Sequence, residues 1–541
     1  MVQGSARPLV AGLAILAVSY ACGWLMQALP GVGVAQPAGA GCFDEAQARM
    51  DLEAFVGDGS ARVAGSPAGA AARERLVAML GEVGLPVERQ RMRIERRAGA
   101  VELENLVARI PGREAGPAEV AVVAHSDSVP GSPGASDDGA GVACALGVAR
   151  ALVALPPVRD VLLVVTDGEE RGLLGAQAFL AQHPAAGRLR AVVNLDARGA
   201  SGPAFVFETG PETAWLAELL ARRVPAVRTG SLMGTVYGAM PNGTDFTAFL
   251  KAGSTGFNVA FIGDVAAYHS AADTVERQSA ASRRHMGLTS LALVRALDEE
   301  LPRGAPVPTG RSVFGDVLGI GVLRWPEHWT VWIVGTSAVV LGLVAGRRSA
   351  RDAALALAVT GGMVAAIAGL GAAFGTGLRL AGASMATAAG RMYALDGLLL
   401  AIAVAGSMAA GTVLGRRGVG PWSALLGAWS PWAALAVAAA VTVPGASFPL
   451  VVPLASAGAG AIAAVAGSWI SGRGKGPAWV PALAGLGAAA VVWLPMGPPI
   501  VDALGFHVGW LNGVRAAMVA ACVLPLACGT RVVRGAVSCL S

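Results

Sequence analysis

The sequence predicts an α/β domain with a mostly parallel sheet covered by helices on both faces. One transmembrane anchor precedes it and an all-α polytopic membrane region follows it. Three observations carry this expectation. Apolar runs of strand length alternate with helix-length segments between residues 43 and 303, as in chains of βαβ units. Charged residues make up only 14% of the 541 residues, against about 25% in ordinary soluble domains. That deficit lies between residues 329 and 528, where long apolar runs recur. Water is therefore the expected solvent for the first region and lipid for the second.

Residues 8–29 carry no charge and follow Arg7. The run is long enough to span a bilayer and longer than the apolar core of a secretory leader. It is expected to stay as an anchor, although Gly33, Val34 and Ala35 resemble a cleavage site. The expected organisation is an anchor over 1–30, a Gly/Ala/Pro-rich linker over 31–42, the α/β domain over 43–303, a linker and interfacial segment over 304–328, and about seven spans over 329–541.

Within the α/β domain, residues 43–56 and 67–83 have helical apolar spacing, and Ser66-Pro67 is a helix-start signal. Residues 87–96 alternate as an edge strand does. Residues 106–110, 120–124, 161–166, 189–195 and 204–207 are read as strands. Residues 142–155, 211–223 and 279–301 are read as helices. Trp325 and Trp329 are candidates for an aromatic belt. The later apolar runs fall near 329–346, 353–378, 392–414, 422–443, 447–470, 478–495 and 505–528.

The loops between spans supply an orientation. With the N-terminus inside, cytoplasmic connections hold Arg347, Arg348, Arg351, Arg416, Arg417, Arg473, Lys475, Arg531 and Arg534. External connections between the later spans hold Arg379 and Arg391. This bias follows the positive-inside rule and puts the α/β domain outside the cytoplasm. The Ala, Gly, Val and Arg bias suggests a bacterial inner membrane and hence a periplasmic domain; a eukaryotic setting would make it lumenal. The net charge of +5 is not gathered in one patch, which argues against nucleic acid as a partner. The six cysteines form no CxxC pair, so zinc-finger and thioredoxin readings fail. The oligomeric state is left open.

The chemistry-bearing residues stand where strands should end. His125 and Asp127 follow the apolar run 120–124, and Asp137 and Asp138 close the loop after it. Glu169 and Glu170 follow 161–166, Asp196 follows 192–195, and His269 follows the apolar stretch 257–262. Open α/β sheets place their sites at the carboxyl ends of strands. Two histidines with several carboxylates suit zinc, which takes N and O ligands.

Five motifs carry a resemblance. They are His-Ser-Asp (125–127), Ser-Asp-Asp-Gly-Ala-Gly (136–141), Asp-Gly-Glu-Glu-Arg-Gly-Leu-Leu-Gly (167–175), Val-Asn-Leu-Asp (193–196) and Tyr-His-Ser-Ala-Ala-Asp-Thr (268–274). In order and spacing they resemble the di-zinc aminopeptidases of metallopeptidase family 28, which also includes glutamate carboxypeptidase II. The likeness covers roughly residues 43–300, and Arg-Val-Ala-Gly-Ser-Pro (62–67) resembles a turn near the start of that domain. The layout of anchor, protease domain and many spans is most similar to the membrane-embedded members, the endoplasmic reticulum and vacuolar membrane proteases. Residues 313–319 with Trp325-Pro326 resemble the segment that follows their protease domain.

The resemblance implies a di-zinc exopeptidase fold, an α/β/α sandwich, with two Zn2+ ions. Asp137 would bridge them, His125 and Asp196 would complete one site, and Glu170 and His269 the other. Asp127 would orient His125 and Asp138 would shape the turn behind the bridge. Glu169 would be the general base acting on a zinc-activated water. Tyr268 is a candidate oxyanion donor, and Asp245, in Asn-Gly-Thr-Asp-Phe (242–246), a candidate for binding a free α-amino group. The implied partners are a peptide substrate and the lipid bilayer. The expected activity is that of a membrane-anchored zinc exopeptidase, foremost an aminopeptidase. The alternatives are a carboxypeptidase or glutaminyl cyclase on the same fold, or a non-catalytic peptide-binding transporter or receptor ectodomain.

Other ionisable residues have plainer expectations. His183, His285 and His328 lack a partner pattern and are expected to be solvated. Cys144 is expected to be a buried small hydrophobe. Asp396 and His507 fall inside predicted spans, where an ionisable group marks either function or an interfacial position.

Overall fold

Five apolar β-branched and alanine positions in a row, residues 120–124, form a strand buried on both faces at the centre of an eight-stranded sheet. A computed structural model describes residues 6–31, 39–95, 99–114, 116, 118–346, 350–383, 385–472, 476–505 and 509–530. His507, Cys539, residues 33–35 and the basic residues Arg347, Arg348, Arg473, Lys475, Arg531 and Arg534 lie outside these. The chain divides into two compact units, Leu25–Glu327 and Met1–Trp24 together with His328–Ser541.

In the first unit the strands are β1 (Val87–Ile94), β2 (Val101–Ile110), β3 (Val120–His125), β4 (Val161–Thr166), β5 (Ala191–Ala197), β6 (Ser201–Thr209), β7 (Arg228–Thr229) and β8 (Thr255–Gly263). Their spatial order is β1-β2-β4-β3-β5-β8-β6-β7. The four central strands β4, β3, β5 and β8 run parallel. β1, β2 and β6 join antiparallel, so the sheet is mixed with a parallel centre. β1 is an edge strand, as its alternation predicts.

The first unit's helices, after the N-terminal α1 (Arg7–Ala28), are α2 (Glu45–Val56), α3 (Pro67–Glu82), α4 (Gly141–Ala154), α5 (Leu174–Gln182), α6 (Thr213–Arg223), α7 (Ser231–Gly238), α8 (Asp245–Lys251) and α9 (Ala280–Glu300). Ser66 caps α3 by accepting from Gly69 N, with Pro67 in the first turn, the expected start geometry. Alternate side chains of β3 enter different cores. Val120, Val122 and Ala124 pack in a core shared with α2, α3, α4, α6 and α9, whereas Ala121 and Val123 pack with Phe179 of α5 and Phe246 and Phe249 of α8. The result is an α/β/α sandwich. Strand β8 corresponds to the apolar stretch 257–262, and helices α5, α7 and α8 and strand β7 have no counterpart among the expected elements. They are short or lie among glycines, so no full apolar period marks them.

One expectation is corrected here. His183 and His285 are buried rather than solvated. His285 accepts from Ala204 N (3.0 Å) and faces Ala226 O (3.2 Å), and burial pushes its pKa down to about 4. His183 stacks on Phe179. Segment 304–328, read as a linker and interfacial stretch, contains a β-hairpin of β9 (Ser312–Val317) and β10 (Gly321–Pro326). Phe314 of β9 joins the core of the first unit, and Val313, on the strand's other face, is also buried. Cys144 is buried, as expected.

The second unit contains α10 (Thr330–Ala345), α11 (Ala350–Leu380), α12 (Met385–Arg416), α13 (Pro421–Thr442), α14 (Phe448–Ile470), α15 (Trp479–Trp493), α16 (Gly497–Leu504), α17 (Gly509–Ala521) and α18 (Leu524–Cys528). With α1, eight helical stretches among the described residues are long and apolar enough to cross a membrane. Helices approach closely at glycines, as lipid-embedded helices do. A Cβ at Gly23 of α1 would lie 2.8 Å from Pro495, and one at Gly460 would lie 2.8 Å from Pro481.

Asp396 sits away from any helix end and pairs with Arg515 of α17; both are fully buried. Arg515 also donates to Trp493 O (3.2 Å). Low dielectric makes a lone charge there costly, so each residue requires the other. Arg515→Leu is expected to destabilise the membrane unit by about 3–5 kcal/mol. The companion change Asp396→Leu should restore much of that loss. Thermal midpoints of the detergent-solubilised chain test both, and equal midpoints for the single and double variants would refute the pairing.

Candidate metal centre

The parallel register brings the carboxyl ends of β4, β3, β5 and β8 to one edge. His125, the last residue of β3, stands beside Thr166, the last of β4. Asp196 of β5 stands beside Ala260 of β8. Glu169 and Glu170 follow β4 by a turn, and His269 follows β8. Five segments distant in sequence thus converge.

Asp137 lies between the two histidines. Its Oδ1 is 3.2 Å from His125 Nε2 and its Oδ2 is 3.1 Å from His269 Nε2. Asp196 Oδ1 is 3.9 Å from His125 Nε2 on the first side, and Glu170 Oε1 is 3.1 Å from His269 Nε2 on the second. The ligand atoms of His125, Asp137 and Asp196 lie within 4.8 Å of one another, as do those of Asp137, Glu170 and His269. Glu170 Oε1 is buried yet makes no hydrogen bond. Two acceptor-rich groups converging without hydrogen-bond geometry fit a cation between them. The donors are all N and O, so both groups fit a divalent ion, and Asp137 offers one oxygen to each.

The surrounding residues hold this arrangement. Asp138 accepts from His125 N (3.1 Å) and Gly141 N (3.1 Å), which ties the loop to the strand and to α4. A side chain at Gly141 would overlap the Asp138 carboxylate, which explains the glycine in Ser-Asp-Asp-Gly-Ala-Gly. Asp273 accepts from Ser136 N (2.8 Å) and Asp137 N (3.1 Å) and so fixes the backbone of the shared ligand. Arg62, fully buried, donates to Ser126 O (2.9 Å), Pro133 O and Gly134 O (2.9 Å). It was visible in sequence only within the turn motif 62–67; no periodicity marks a charge that spans a loop.

Asp127 has two tasks. His125 Nδ1 lies 3.1 Å from the Asp127 backbone carbonyl and 3.5 Å from its Oδ1, and the two carboxylate oxygens accept from Glu169 N (3.1 Å) and Glu170 N (3.3 Å). The residue therefore positions the imidazole, through its carbonyl and carboxylate together, and the loop of two glutamates through its carboxylate. Asp127→Asn removes one of those acceptors. It is expected to lower metal affinity or turnover by about 10–100-fold, the usual cost of losing a partner that orients a ligand. Metal titration of the purified chain checks this.

Electrostatics follow from burial and crowding. Burial lowers the pKa of His269, but the Asp137 and Glu170 carboxylates outweigh it and push it up to about 10. His125 is raised well above its usual range, as Asp127, Asp137 and Asp196 overcome its burial. Burial raises Asp137, yet the two imidazoles bring it down to about 2. Burial, with Asp196, Asp245 and Glu170 nearby, holds the Glu169 carboxyl well above the glutamate range despite His125.

Residues 105–294 match Peptidase family M28. The chain carries a peptidase M28 domain. That domain contains every residue of the seat and of the loops that hold it, except Arg62. Mouse endoplasmic reticulum metallopeptidase 1 is 33% identical over 233 residues, which are 42% of this chain and 26% of the mouse protein. A vacuolar membrane protease from Eremothecium gossypii is 30% identical over 248 residues, 45% of this chain and 24% of that protein. The matched region thus spans about a quarter of the length of these curated relatives. Among solved structures, an aminopeptidase from Aneurinibacillus sp. strain AM-1 has a TM-score of 0.40 at 15% identity, covering 49% of this chain and 97% of that one. A glutaminyl cyclase from Fimbriiglobus ruber has a TM-score of 0.39 at 21% identity, covering 48% and 99%.

Two assigned residues of the M28 domain stand apart from the seat's ligands. Tyr268 is half-buried, stacks on the His269 ring at 3.7 Å between centroids, and has the Arg198 guanidinium 5.7 Å over its ring. Asp245, the expected α-amino ligand, is buried, and its Oδ2 accepts from Thr166. Burial pushes it up to about 7. It stands at the start of α8, and its partner Thr166 is the neighbour of His125 where β3 and β4 end.

Proposed function

We propose that the chain is a membrane-anchored zinc-dependent exopeptidase, and foremost an aminopeptidase. The observation that carries this is the two-sided seat of Asp137, with His125 and Asp196 on one side and Glu170 and His269 on the other. Three N/O ligands on each side leave positions free, the pattern of catalytic rather than structural zinc. Zinc bound there would acidify a water and polarise the scissile carbonyl.

The protein's own groups do the rest. Glu169, anchored through its amide to Asp127, is the general base and returns the proton to the departing amine. Tyr268, beside His269, is placed to donate to the developing oxyanion. Asp127 keeps His125 oriented. The basic-residue bias of the span connections supports an extracytoplasmic M28 domain, periplasmic in a bacterial inner membrane and lumenal in a eukaryotic one.

Arg198 favours a second reading. Its Nε is buried without a hydrogen-bond partner, and a guanidinium beside Tyr268 suits a substrate carboxylate, as in a carboxypeptidase. A panel of free-amine and N-blocked peptides with the purified chain decides between them. Cleavage confined to N-blocked peptides would exclude the aminopeptidase and leave the carboxypeptidase.

A further inference from the structure

The hairpin β9–β10 ends in a turn whose chemistry does not suit water. Leu318 and Gly319 both have positive φ, 52° and 67°, and Ile320 N donates to Val317 O (2.9 Å). Turns with two left-handed central residues favour Asn-Gly, because a branched apolar side chain is strained there. This turn has a leucine at the first position. Next to it Ile320 is 86% exposed, and Leu323 on β10 is 47% exposed. Leu323 faces Gly315 across the ladder, so no cross-strand side chain covers it. The opposite side of the hairpin is firmly held. Asp316 pairs with Arg228 (3.0 Å), accepts from Thr229 N (2.8 Å) and Gly319 N (2.9 Å), and Phe314 is in the core. The tip is thus presented rigidly, with Ile320 and Leu323 outward.

We propose that this tip is a membrane-contacting surface, with Ile320 and Leu323 seated in the interfacial region of the lipid bilayer. The choice of occupant rests on chain continuity. β10 runs directly into the stretch Glu327–Ala345, which is long and apolar enough to span a membrane. Glu327 comes seven positions after Ile320, which limits the tip to about 25 Å from the start of that span. The first turns of that span expose Trp329 and Trp332, the residue type that settles at the headgroup level. Apolar exposure of Ile320 and Leu323, unfavourable in water, is relieved in lipid. The inference is independent of the peptidase reading.

The test uses the full chain in phosphatidylcholine liposomes. Cys22, Cys42 and Cys539 are replaced by serine, since the remaining cysteines are buried. An environment-sensitive nitrobenzoxadiazole probe is attached at Ile320→Cys, at Leu323→Cys, and at Glu53→Cys on the exposed surface of α2. Spin-labelled phosphatidylcholine should remove most of the emission at 320 and 323 and little at 53, with a blue shift confined to the first two. Iodide in the buffer should give the reverse order. Absence of lipid quenching at both hairpin positions overturns the proposal. With iodide quenching the tip is simply in water; without it, a protein surface or a second copy of the chain covers it.

Discussion

Glu169→Gln should lower kcat by about two to four orders of magnitude, the contribution of a positioned general base, while bound metal stays unchanged. The two results together are what matter. The Glu169 backbone amide, not its side chain, makes the bond to Asp127, so the substitution leaves the loop and the neighbouring ligand Glu170 in place. A base must be ionised, and burial with its acidic neighbours holds Glu169 above the glutamate range. Wild-type kcat/KM should therefore fall as pH is lowered through a limb that the Gln variant lacks. Assay of purified protein with metal analysis checks this. Unchanged turnover would refute the base assignment, and a parallel loss of metal would make Glu169 a ligand instead.

Asp137→Ala should remove both metal ions rather than one. Each three-ligand group shares this residue, so its loss leaves two ligands on each side. The fall in affinity should exceed the roughly 100-fold upper range for residues that only orient ligands, and peptidase activity should fall to that of the chelator-treated chain. His125→Ala or His269→Ala should weaken one side more than the other. The pH dependence has a defined sign. Without a cation both imidazoles are raised, His269 to about 10, and must lose protons to ligate. Affinity should therefore fall with falling pH below about 10, by about tenfold per unit for each proton displaced. Equilibrium dialysis against zinc buffers measures both. Loss of a single ion in Asp137→Ala would show that Asp137 serves one side only.

Much of the M28 domain is legible because its signals are local. The runs 120–124 and 161–166 are apolar throughout since parallel strands are buried on both faces. Their polar successors stand out by contrast, so His125, Asp137, Glu170, Asp196 and His269 could be named from the chain alone. The spans are legible for a similar reason: lipid admits few charges, and eight long apolar runs follow.

Other features depend on partners far along the chain. Arg62 looks like an ordinary surface arginine until the loop 126–134 folds around it. Asp245 stands in a run of Asn, Gly and Thr that reads as a loop, and it is a buried partner of Thr166 at the start of α8. The segment of hairpin β9–β10 reads as interfacial from its mixed composition and from Trp325 and Trp329, which do not tell its apolar residues apart. The fold separates them, sending Phe314 into the core and Ile320 outward. Asp396 remained ambiguous until α17 brought Arg515 to it.

The amino-acid sequence by itself determined the solvent of each region, the sheet's central strands and the identity of the residues that meet at their ends, since burial and strand length are written in consecutive residues. Only the tertiary structure decided that Asp137 turns one oxygen to each histidine, that Asp127 serves two segments, and that Asp245 and Arg515 are buried. Those are properties of distance between segments tens to hundreds of residues apart, and no local pattern in a chain records them.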